Sequence, residues 1–380
     1  MKWHMKKLNH RKNNISDKVE AINYSAVRKA FSAGRKEGVI NLTIGQPDFD
    51  VPVVIKESAK KYINEGFNRY TDTRGILKLR QAVSGYLKEK GINRKEDEII
   101  ITPGTTAGIY MSLMTLINPG DEIIIFEPYF VAYKEIINLL GGKTIIAKTD
   151  DNFQPLISDL SKKITNKTKA IIINSPNNPT GAVYSKEIIK EVVNIAKRAN
   201  IYVISDEVYT EFSYGIKVSS PAEYYKKTIV LDGLSKSKGM TGWRIGFIAG
   251  PKDIVNAIEK IQQFSFVCAP APFQYASADY LKEKIDSMVI NRYQEIRDEL
   301  YNGLKNDYQI VEPKGAFYMF IKTPLSGEQF AKKLLKNNVA VVPGSAFGDN
   351  CRDYIRISFA IKRELAPEII RVFKNIRKGA

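Results

Sequence analysis

The chain has 380 residues, of which 44% are hydrophobic and 26% charged, and its formal net charge is +17. That length predicts a large core and two domains. Because no apolar run approaches the roughly 18 residues that a membrane span needs, we expect no membrane insertion. The two cysteines, Cys268 and Cys351, lie far apart and without a CxxC partner. They predict neither a disulfide framework nor a zinc cluster, and cytoplasm is the expected location.

The first sixteen residues form a basic extension with five Lys or Arg and no acid. They lack the apolar stretch and cleavage site of a secretory signal, and a transit peptide usually favours Arg and Ser over Lys and Asn, so we expect a disordered extension. Both histidines, His4 and His10, fall within it. Histidine-based catalytic triads, histidine-ligated metal sites and histidine acid–base catalysis are therefore excluded from the folded body, and no metal site is predicted.

The strongly positive charge also allows a nucleic-acid-binding protein, which is the remote alternative. However, the basic residues are spread along the whole chain and alternate with acids, as in the runs KEDEII and SKEIIKEVV. That pattern is typical of solvated helix faces, and the sequence contains no recognisable nucleic-acid-binding module. We therefore expect no nucleic-acid partner.

From residue 98 to about residue 266, short apolar runs alternate with amphipathic stretches of helix length. The predicted strands are, in chain order, IIITPG, EIIIFEP, TIIAKT, AIIINSP, IYVISDE, TIVLDG and RIGFIAG. Strands separated by helices predict an α/β fold with a mostly parallel, doubly wound sheet covered on both faces. After Ala271 the chain changes to long charged helices followed by the alternating runs GAFYMFI and YIRISFA, which predict a smaller α+β domain.

Ligands of open α/β sheets bind at the carboxyl ends of the strands. The polar residues that follow three of the predicted strands are Gly104, Thr105 and Thr106, then Asn178, then Asp206 and Tyr209. The first group opens a helix whose N–H groups suit a phosphate, and Asp206 offers a carboxylate. Taken alone, the same residues also suit a strand-to-helix turn, a surface loop and a helix cap.

The run GLSKSKGMTGWRIG, residues 233–246, places Lys236 eight residues before Arg244. A lysine amine can lose its proton and attack a carbonyl, whereas a guanidinium stays charged and holds phosphate oxygens in pairs. A lone lysine in such a turn is more often solvated. Lys238 is a rival, because an extended strand would place residues two apart on one face.

The spacing of Ser235, Lys236, Gly242, Arg244 and Gly246 resembles the pyridoxal-phosphate attachment signature of the class I and II aminotransferases. The tetrapeptide NPTG, residues 178–181, resembles the same family's most recognisable short motif. The intervals to Asp206 and Lys236 are also similar. One departure is Gly233, which stands where many relatives carry serine. The resemblance extends from about Asn41 to the C-terminus.

This resemblance implies a cofactor, pyridoxal 5'-phosphate, and a role for each candidate residue. Lys236 would form the Schiff base and later move the proton at the substrate Cα. The phosphate would lie against Arg244, Ser235 and the helix start, and Asp206 would pair with the pyridine nitrogen. Asn178 and Tyr209 would bond the ring oxygen.

Four further positions are assigned by the same resemblance. Phe130 would stack on the pyridine ring, with ordinary core packing as the alternative. Tyr70 would reach across a homodimer to the phosphate of the neighbouring subunit. Arg356 would bind the substrate α-carboxylate together with Asn178, with a structural salt bridge as the alternative. Gly45 lies in the run 44–49, which resembles the strand that closes over the substrate.

The predicted function is therefore a transaminase that moves an amino group between an L-amino acid and a 2-oxo acid by a ping-pong route. A C–S lyase or a related carbanion enzyme on the same fold is the alternative. The resemblance implies a large domain of residues 53–284 and a small domain of residues 17–52 and 285–380. The side chain of the amino donor is not determined by the sequence.

Overall fold

The structure is a computed structural model that describes residues 15–22 and 24–378. The predicted basic extension, residues 1–16, lies almost entirely outside the described residues, and so do His4 and His10. No helix in the described ranges is long and apolar enough to cross a membrane. The same ranges contain no group of three or more His, Cys, Asp or Glu side chains arranged to hold a metal ion.

The strands are numbered in chain order. They are β1 (Ile40–Asn41), β2 (Ile99–Thr102), β3 (Glu122–Phe126), β4 (Lys143–Ala147), β5 (Thr168–Asn174), β6 (Tyr202–Asp206), β7 (Thr228–Gly233), β8 (Gly246–Ala249), β9 (Gln309–Ile310), β10 (Tyr318–Lys322), β11 (Val339–Ala340), β12 (Val342–Pro343) and β13 (Tyr354–Ser358).

The α-helices are numbered in the same way. They are α1 (Asp17–Glu20), α2 (Ala26–Ala33), α3 (Val53–Asn64), α4 (Leu77–Glu89), α5 (Thr105–Leu116), α6 (Ala132–Leu139), α7 (Ile157–Lys163), α8 (Lys186–Ala199), α9 (Leu234–Ser237), α10 (Lys252–Gln263), α11 (Ala271–Tyr280), α12 (Ser287–Leu304), α13 (Gly327–Lys336) and α14 (Ala366–Lys378).

The central sheet has seven strands in the order β2-β8-β7-β6-β5-β3-β4. Strand β8 runs antiparallel to both of its neighbours, and the remaining pairs are parallel. Every residue of β3 is buried, as expected for a strand covered by helices on both faces. The predicted α/β fold with a mostly parallel, doubly wound sheet is therefore confirmed.

Helix α8 illustrates how the sequence forms one of the covering helices. The Ser185 side chain accepts a hydrogen bond from the backbone N–H of Ile188 at its start, and Asn200 ends it in a left-handed conformation with φ of 55°. Its buried residues recur at helical spacing, which gives one apolar stripe that packs against the sheet. Local sequence signals and packing thus agree on where this helix lies.

Two smaller sheets lie apart from the central one. Strands β12-β13-β10-β9 form an antiparallel sheet, and β1 pairs in parallel with β11. A hydrophobic core joins this region to α12 and α14 and includes Tyr209 and Phe212, which come from the segment after β6. The chain start and the chain end therefore pack together, and the segment carrying Tyr209 connects them to the central sheet.

Two local predictions differ from the structure. The run 44–49, predicted as a strand, contains none: β1 ends at Asn41, and the carbonyl of Gly45 accepts a hydrogen bond from the Lys236 side chain instead of pairing with a neighbouring strand. An extended strand through residues 233–246 would place Lys236 and Lys238 on one face, but Leu234–Ser237 form the short helix α9. Residues two apart on a helix point in different directions, so Lys236 and Lys238 do not share a face.

Two glycines of this run give a test of the packing between β8 and the start of α5. A Cβ atom at Gly246 would lie 2.8 Å from the backbone of Gly104 and Thr105, whereas one at Gly242 would meet nothing within 4 Å. We expect Gly246→Ala to lower the free energy of unfolding by about 1–3 kcal/mol, because backbone must move to admit the methyl group. Urea unfolding measures this change. Gly242→Ala is the matched control, and an equal loss in both variants would contradict the close approach.

Candidate active site

A cavity of about 240 Å³ opens where the carboxyl ends of β2, β5, β6 and β7 meet the smaller sheets. The predicted residues that line it are Gly45, Thr105, Thr106, Phe130, Asn178, Asp206, Tyr209, Ser235, Lys236, Arg244 and Arg356. Its charged lining consists of three cations and one carboxylate, Asp206, within the part of the chain that the structure describes. The cavity is therefore electropositive and suits a ligand with more than one negative group.

Helix α9 directs Lys236 into this cavity. The Lys236 amine donates a hydrogen bond to the carbonyl oxygen of Gly45, which lies on the opposite wall. Lys238 points away from the cavity, and its amine donates to the carbonyl oxygen of Glu283. The helical turn separates two lysines that the sequence alone left as alternatives.

The surroundings of Lys236 lower the pKa of its amine from 10.5 to about 8. Burial disfavours the charged form and is the largest cause. The nearby guanidinium groups of Arg356 and Arg244 act in the same direction, whereas the Asp206 carboxylate partly opposes them. About a tenth of the amine is therefore neutral at pH 7, far more than at the ordinary pKa, and the neutral form is the one that a nucleophile requires.

Arg244 and the start of α5 form a cup at one end of the cavity. Arg244 has a φ of 60°, an uncommon conformation for a non-glycine residue, and its guanidinium lies against Gly104, where a Cβ atom would be 2.4 Å from Nη2. The hydroxyl of Thr105 is buried with no hydrogen-bond partner in the described ranges. A buried hydroxyl without a partner is costly, and an anion bound at the helix start would supply one.

The departure at Gly233 has a steric explanation. A Cβ atom at Gly233 would lie 2.8 Å from the backbone of Ile245 and Gly246 and 3.1 Å from the hydroxyl of Thr105. A serine would not fit there without a shift of β8. The hydroxyls of Thr105 and Ser235 remain available at the cup.

Asp206 ends β6 at the floor of the cavity. It is buried, and its carboxylate accepts a hydrogen bond of 2.6 Å from the hydroxyl of Tyr133. Burial raises the pKa of Asp206 to about 6, although the Tyr133 hydrogen bond opposes that rise. The carboxyl group is thus mostly ionised at neutral pH and would be stabilised further by a cation.

Arg356 lies in the middle of β13 and is only 2% exposed. Its Nη1 donates to the side-chain oxygen of Asn178 over 3.1 Å, and its Nη2 donates to the carbonyl oxygen of Thr43 over 2.6 Å. Its Nε has no partner, and no salt bridge to Arg356 occurs within the described ranges. The structural salt bridge considered from the sequence is therefore not formed there.

Asn178 is held by a second asparagine. Its backbone N–H donates to the side-chain oxygen of Asn174 over 2.8 Å, and the Asn174 amide donates to the backbone oxygen of Asp206 over 3.0 Å. These bonds connect the loop after β5 to the end of β6. They fix Asn178 beside Arg356.

Tyr209 and Phe130 occupy two other walls. The Tyr209 hydroxyl lies 2.8 Å from the hydroxyl of Tyr318. Phe130 is half-buried and contacts Tyr133 edge-on, with ring centroids 5.5 Å apart. Phe130 also lines the cavity, so packing against the protein leaves part of this side chain uncovered.

Two predicted residues do not line the cavity. Gly104 directly precedes α5 and lies against the Arg244 guanidinium. Tyr70 is 85% exposed on the loop between α3 and α4, away from the cavity lining.

Sequence reasoning did not identify Tyr133, Asn174 and Tyr318 as parts of this site. Asn174 carried a usable signal, because it is the last residue of a predicted strand. Tyr133 and Tyr318 carried none, because each is one of 20 tyrosines and contacts residues far away in sequence. Only the fold brings them to Asp206 and Tyr209.

The pKa of Lys236 gives a testable pH dependence. We expect acetylation of Lys236 by acetic anhydride, followed by peptide mass spectrometry, to have its midpoint near pH 8, because the neutral amine is the reactive form. Asp206→Asn should move the midpoint to lower pH, because the Asp206 carboxylate stabilises the charged amine in the wild-type protein. A midpoint near the ordinary value of 10.5 would contradict the proposed environment.

Comparison with known proteins identifies the family. A family model described as aminotransferase class I and II matches residues 37–373. The chain is 39% identical to a probable aspartate aminotransferase of Methanocaldococcus jannaschii, over 95% of this chain and 99% of that protein. It is 37% identical to aromatic-amino-acid aminotransferase 2 of Thermococcus litoralis, over 96% of this chain and 98% of that protein.

A solved structure agrees with these relatives. The structure of Thermus thermophilus aspartate aminotransferase with maleate matches with a TM-score of 0.92 at 32% identity, covering 96% of this chain and 100% of that one. The predicted family is confirmed. The chain belongs to the class I and II aminotransferases and is a transaminase.

Proposed function

We propose that the cavity binds pyridoxal 5'-phosphate and uses it to transfer an amino group between an L-amino acid and a 2-oxo acid. The observation that carries this proposal is that one cavity contains both a reactive amine and, separate from it, a cup for an anion. A lysine amine with a pKa of about 8 lies in the cavity, and the cup of Arg244 and α5 contains the unpartnered hydroxyl of Thr105. A ligand with an aldehyde and a phosphate matches both.

The residues of the cavity fit this cofactor. Arg244, Thr105, Thr106 and Ser235, with the backbone at Gly104, would hold the phosphate. At the opposite end of the ring, the ionised Asp206 would pair with the pyridine nitrogen. Tyr133 keeps that carboxylate in place through its hydrogen bond.

The remaining walls would hold the ring itself. Phe130 would pack on one face, where an offset aromatic contact contributes about 1 kcal/mol beyond burial. Asn178 and Tyr209 would bond the ring oxygen. When bound, the cofactor supplies an electron sink for the pair of electrons released at the substrate Cα.

Lys236 would first bond the cofactor covalently and afterwards act as the base at Cα. Its amine lies in the same cavity as Asp206 and Arg356, so a substrate held by Arg356 would present Cα to it. Because no histidine occurs after His10, the lysine is the best-placed group for this proton. With a pKa of about 8, the Lys236 amine can accept the proton from Cα and later return it near neutral pH.

Arg356 would bind the substrate α-carboxylate. It has an unpartnered Nε and a positive charge without a carboxylate partner in the described ranges. Two parallel hydrogen bonds from a guanidinium fix the plane of a carboxylate and so orient the groups on Cα. Together with Asn178 it would fix the Cα–H bond relative to the ring, and orientation of this kind contributes up to about 7–11 kcal/mol.

The proposal includes two substrates that use the site in turn. Relatives of this chain are named for aspartate and for aromatic amino acids, so the family accommodates both acidic and aromatic side chains. The motifs themselves are shared with C–S lyases, but none of the relatives reported above is named as one.

We also propose the domain division at residues 52/53 and 284/285, which places the cavity between the two domains.

We further propose a homodimer in which Tyr70 contributes to the phosphate site of the neighbouring subunit. Tyr70 is 85% exposed and Phe264 is 89% exposed. The segments that carry them are in contact, because Gln262 at the end of α10 donates to the carbonyl of Thr73 in the Tyr70 loop. Exposed aromatic residues grouped in this way favour burial against another chain.

Lys236 and Lys238 provide a matched pair of variants for the covalent bond. We expect borohydride reduction of the loaded wild-type protein to fix the cofactor on Lys236, as read by peptide mapping. Lys236→Ala should abolish the label, because no other amine in the described ranges lines the cavity. Lys238→Ala should retain it. Label at Lys238 in the wild-type protein would contradict the assignment.

The dimer is tested through Tyr70. We expect Tyr70→Phe to raise the dissociation constant of pyridoxal phosphate by about tenfold, the value of one hydrogen bond of roughly 1.4 kcal/mol. Phe264→Asp should shift the protein toward monomer in sedimentation velocity and weaken cofactor binding as well. A wild-type monomer that binds the cofactor tightly would overturn this part of the proposal.

A further inference from the structure

Tyr318 is a cavity residue to which the proposed function gives no role. It opens β10 and is fully buried, and its hydroxyl reaches the cavity. The hydroxyl lies 2.8 Å from that of Tyr209. The Arg356 guanidinium carbon lies 4.6 Å from the centre of the Tyr318 ring. One side chain therefore contacts both a proposed cofactor ligand and the proposed carboxylate ligand.

The glycine at position 45 makes room for this side chain. A Cβ atom at Gly45 would lie 2.7 Å from the Tyr318 hydroxyl. The carbonyl oxygen of Gly45 accepts the hydrogen bond from Lys236. The Tyr318 hydroxyl thus lies between Gly45 and the Tyr209 hydroxyl. This close packing restricts the positions that the Tyr318 side chain can take.

The two hydroxyls determine each other's direction. Burial raises the pKa of both Tyr209 and Tyr318, so each phenol keeps its proton at neutral pH. Either hydroxyl can donate within the isolated pair. If Tyr209 donates its only proton to a ring oxygen in the cavity, it can no longer donate to Tyr318. Tyr318 must then donate to Tyr209.

We propose that Tyr318 is a positioning residue that turns the Tyr209 proton toward the ring oxygen of pyridoxal phosphate and supports the Arg356 guanidinium with its ring. The inference rests on the proposed function. It adds a direct connection between the ring-oxygen ligand Tyr209 and the carboxylate ligand Arg356, because the side chain of Tyr318 on β10 contacts both.

The hydroxyl contact has a spectroscopic consequence. A hydroxyl that accepts a hydrogen bond becomes a better donor. A better donor stabilises negative charge on the ring oxygen, and this favours loss of the proton that the oxygen shares with the Lys236 nitrogen. Tyr318 therefore lowers the pH at which the yellow absorbance of the loaded enzyme is lost. Removing its hydroxyl raises that pH.

The test is a pH titration of the visible spectrum of the loaded protein. Tyr318→Phe keeps the ring and removes the hydroxyl, and we expect the midpoint to rise by about half a pH unit. Tyr209→Phe should raise it further, and the double variant should match Tyr209→Phe alone, because Tyr318 acts through Tyr209. Tyr214→Phe is the matched control: its buried hydroxyl donates to the carbonyl of Ala316, outside the cavity, so its midpoint should not move.

The ring contact is tested separately by kinetics. Tyr318→Phe should keep KM for the amino acid within about twofold, because the cation–π contact with Arg356 remains. Tyr318→Leu should raise KM about tenfold, since the guanidinium loses the nearer of its two aromatic contacts and keeps only the ring of Phe347, 5.1 Å away. Thermal unfolding of each variant checks that the fold is retained.

The outcomes distinguish this inference from the proposed function. The inference is overturned, and the proposed function left intact, if Tyr318→Phe does not move the midpoint. The same holds if Tyr318→Phe shifts the midpoint equally in the wild-type and the Tyr209→Phe backgrounds. A wild-type protein without yellow absorbance after addition of pyridoxal phosphate overturns both. A raised midpoint that disappears in the Tyr209→Phe background supports the inference.

Discussion

The site depends on a buried positive charge that has no carboxylate to neutralise it in the described ranges. Arg356 is 2% exposed, and its hydrogen bonds go to a neutral amide and a backbone carbonyl. Taking a guanidinium out of water costs several kcal/mol unless a partner compensates it. The protein instead surrounds it with oxygen dipoles and the rings of Tyr318 and Phe347, and its Nε donates to no group in the described ranges. An unsatisfied buried cation of this kind is a receptor for an anion.

The fold keeps this charge in place by joining two sheets around one cavity. The central sheet supplies Asp206 and the segment with Lys236 at its carboxyl edge, and the smaller antiparallel sheet supplies Arg356 and Tyr318. Contacts across the boundary, such as Arg356 to Asn178 and Tyr318 to Tyr209, set the distance between them. A relative movement of the two sheets would therefore change both the carboxylate site and the ring-oxygen site.

The sequence predicted the parts of this arrangement that follow from local patterns. Alternating apolar runs predicted the parallel sheet, and strand ends predicted Asp206 and the start of α5. Motif spacing favoured Lys236, but only the helical turn of α9 shows why Lys238 points elsewhere. Tyr318 could not be predicted, because its partners lie 109 residues away in one case and on a neighbouring strand in the other. Tyr70 remains a prediction, because its proposed partner belongs to a second chain.

The most direct test of transamination at this cavity is the visible spectrum of the protein loaded with pyridoxal phosphate, recorded while single amino acids are added. We expect a yellow band that one class of amino acid bleaches, with one equivalent of 2-oxo acid released per site, and that a 2-oxo acid restores. A band that persists with every amino acid, or continuous release of keto product without bleaching, would contradict transamination at this cavity.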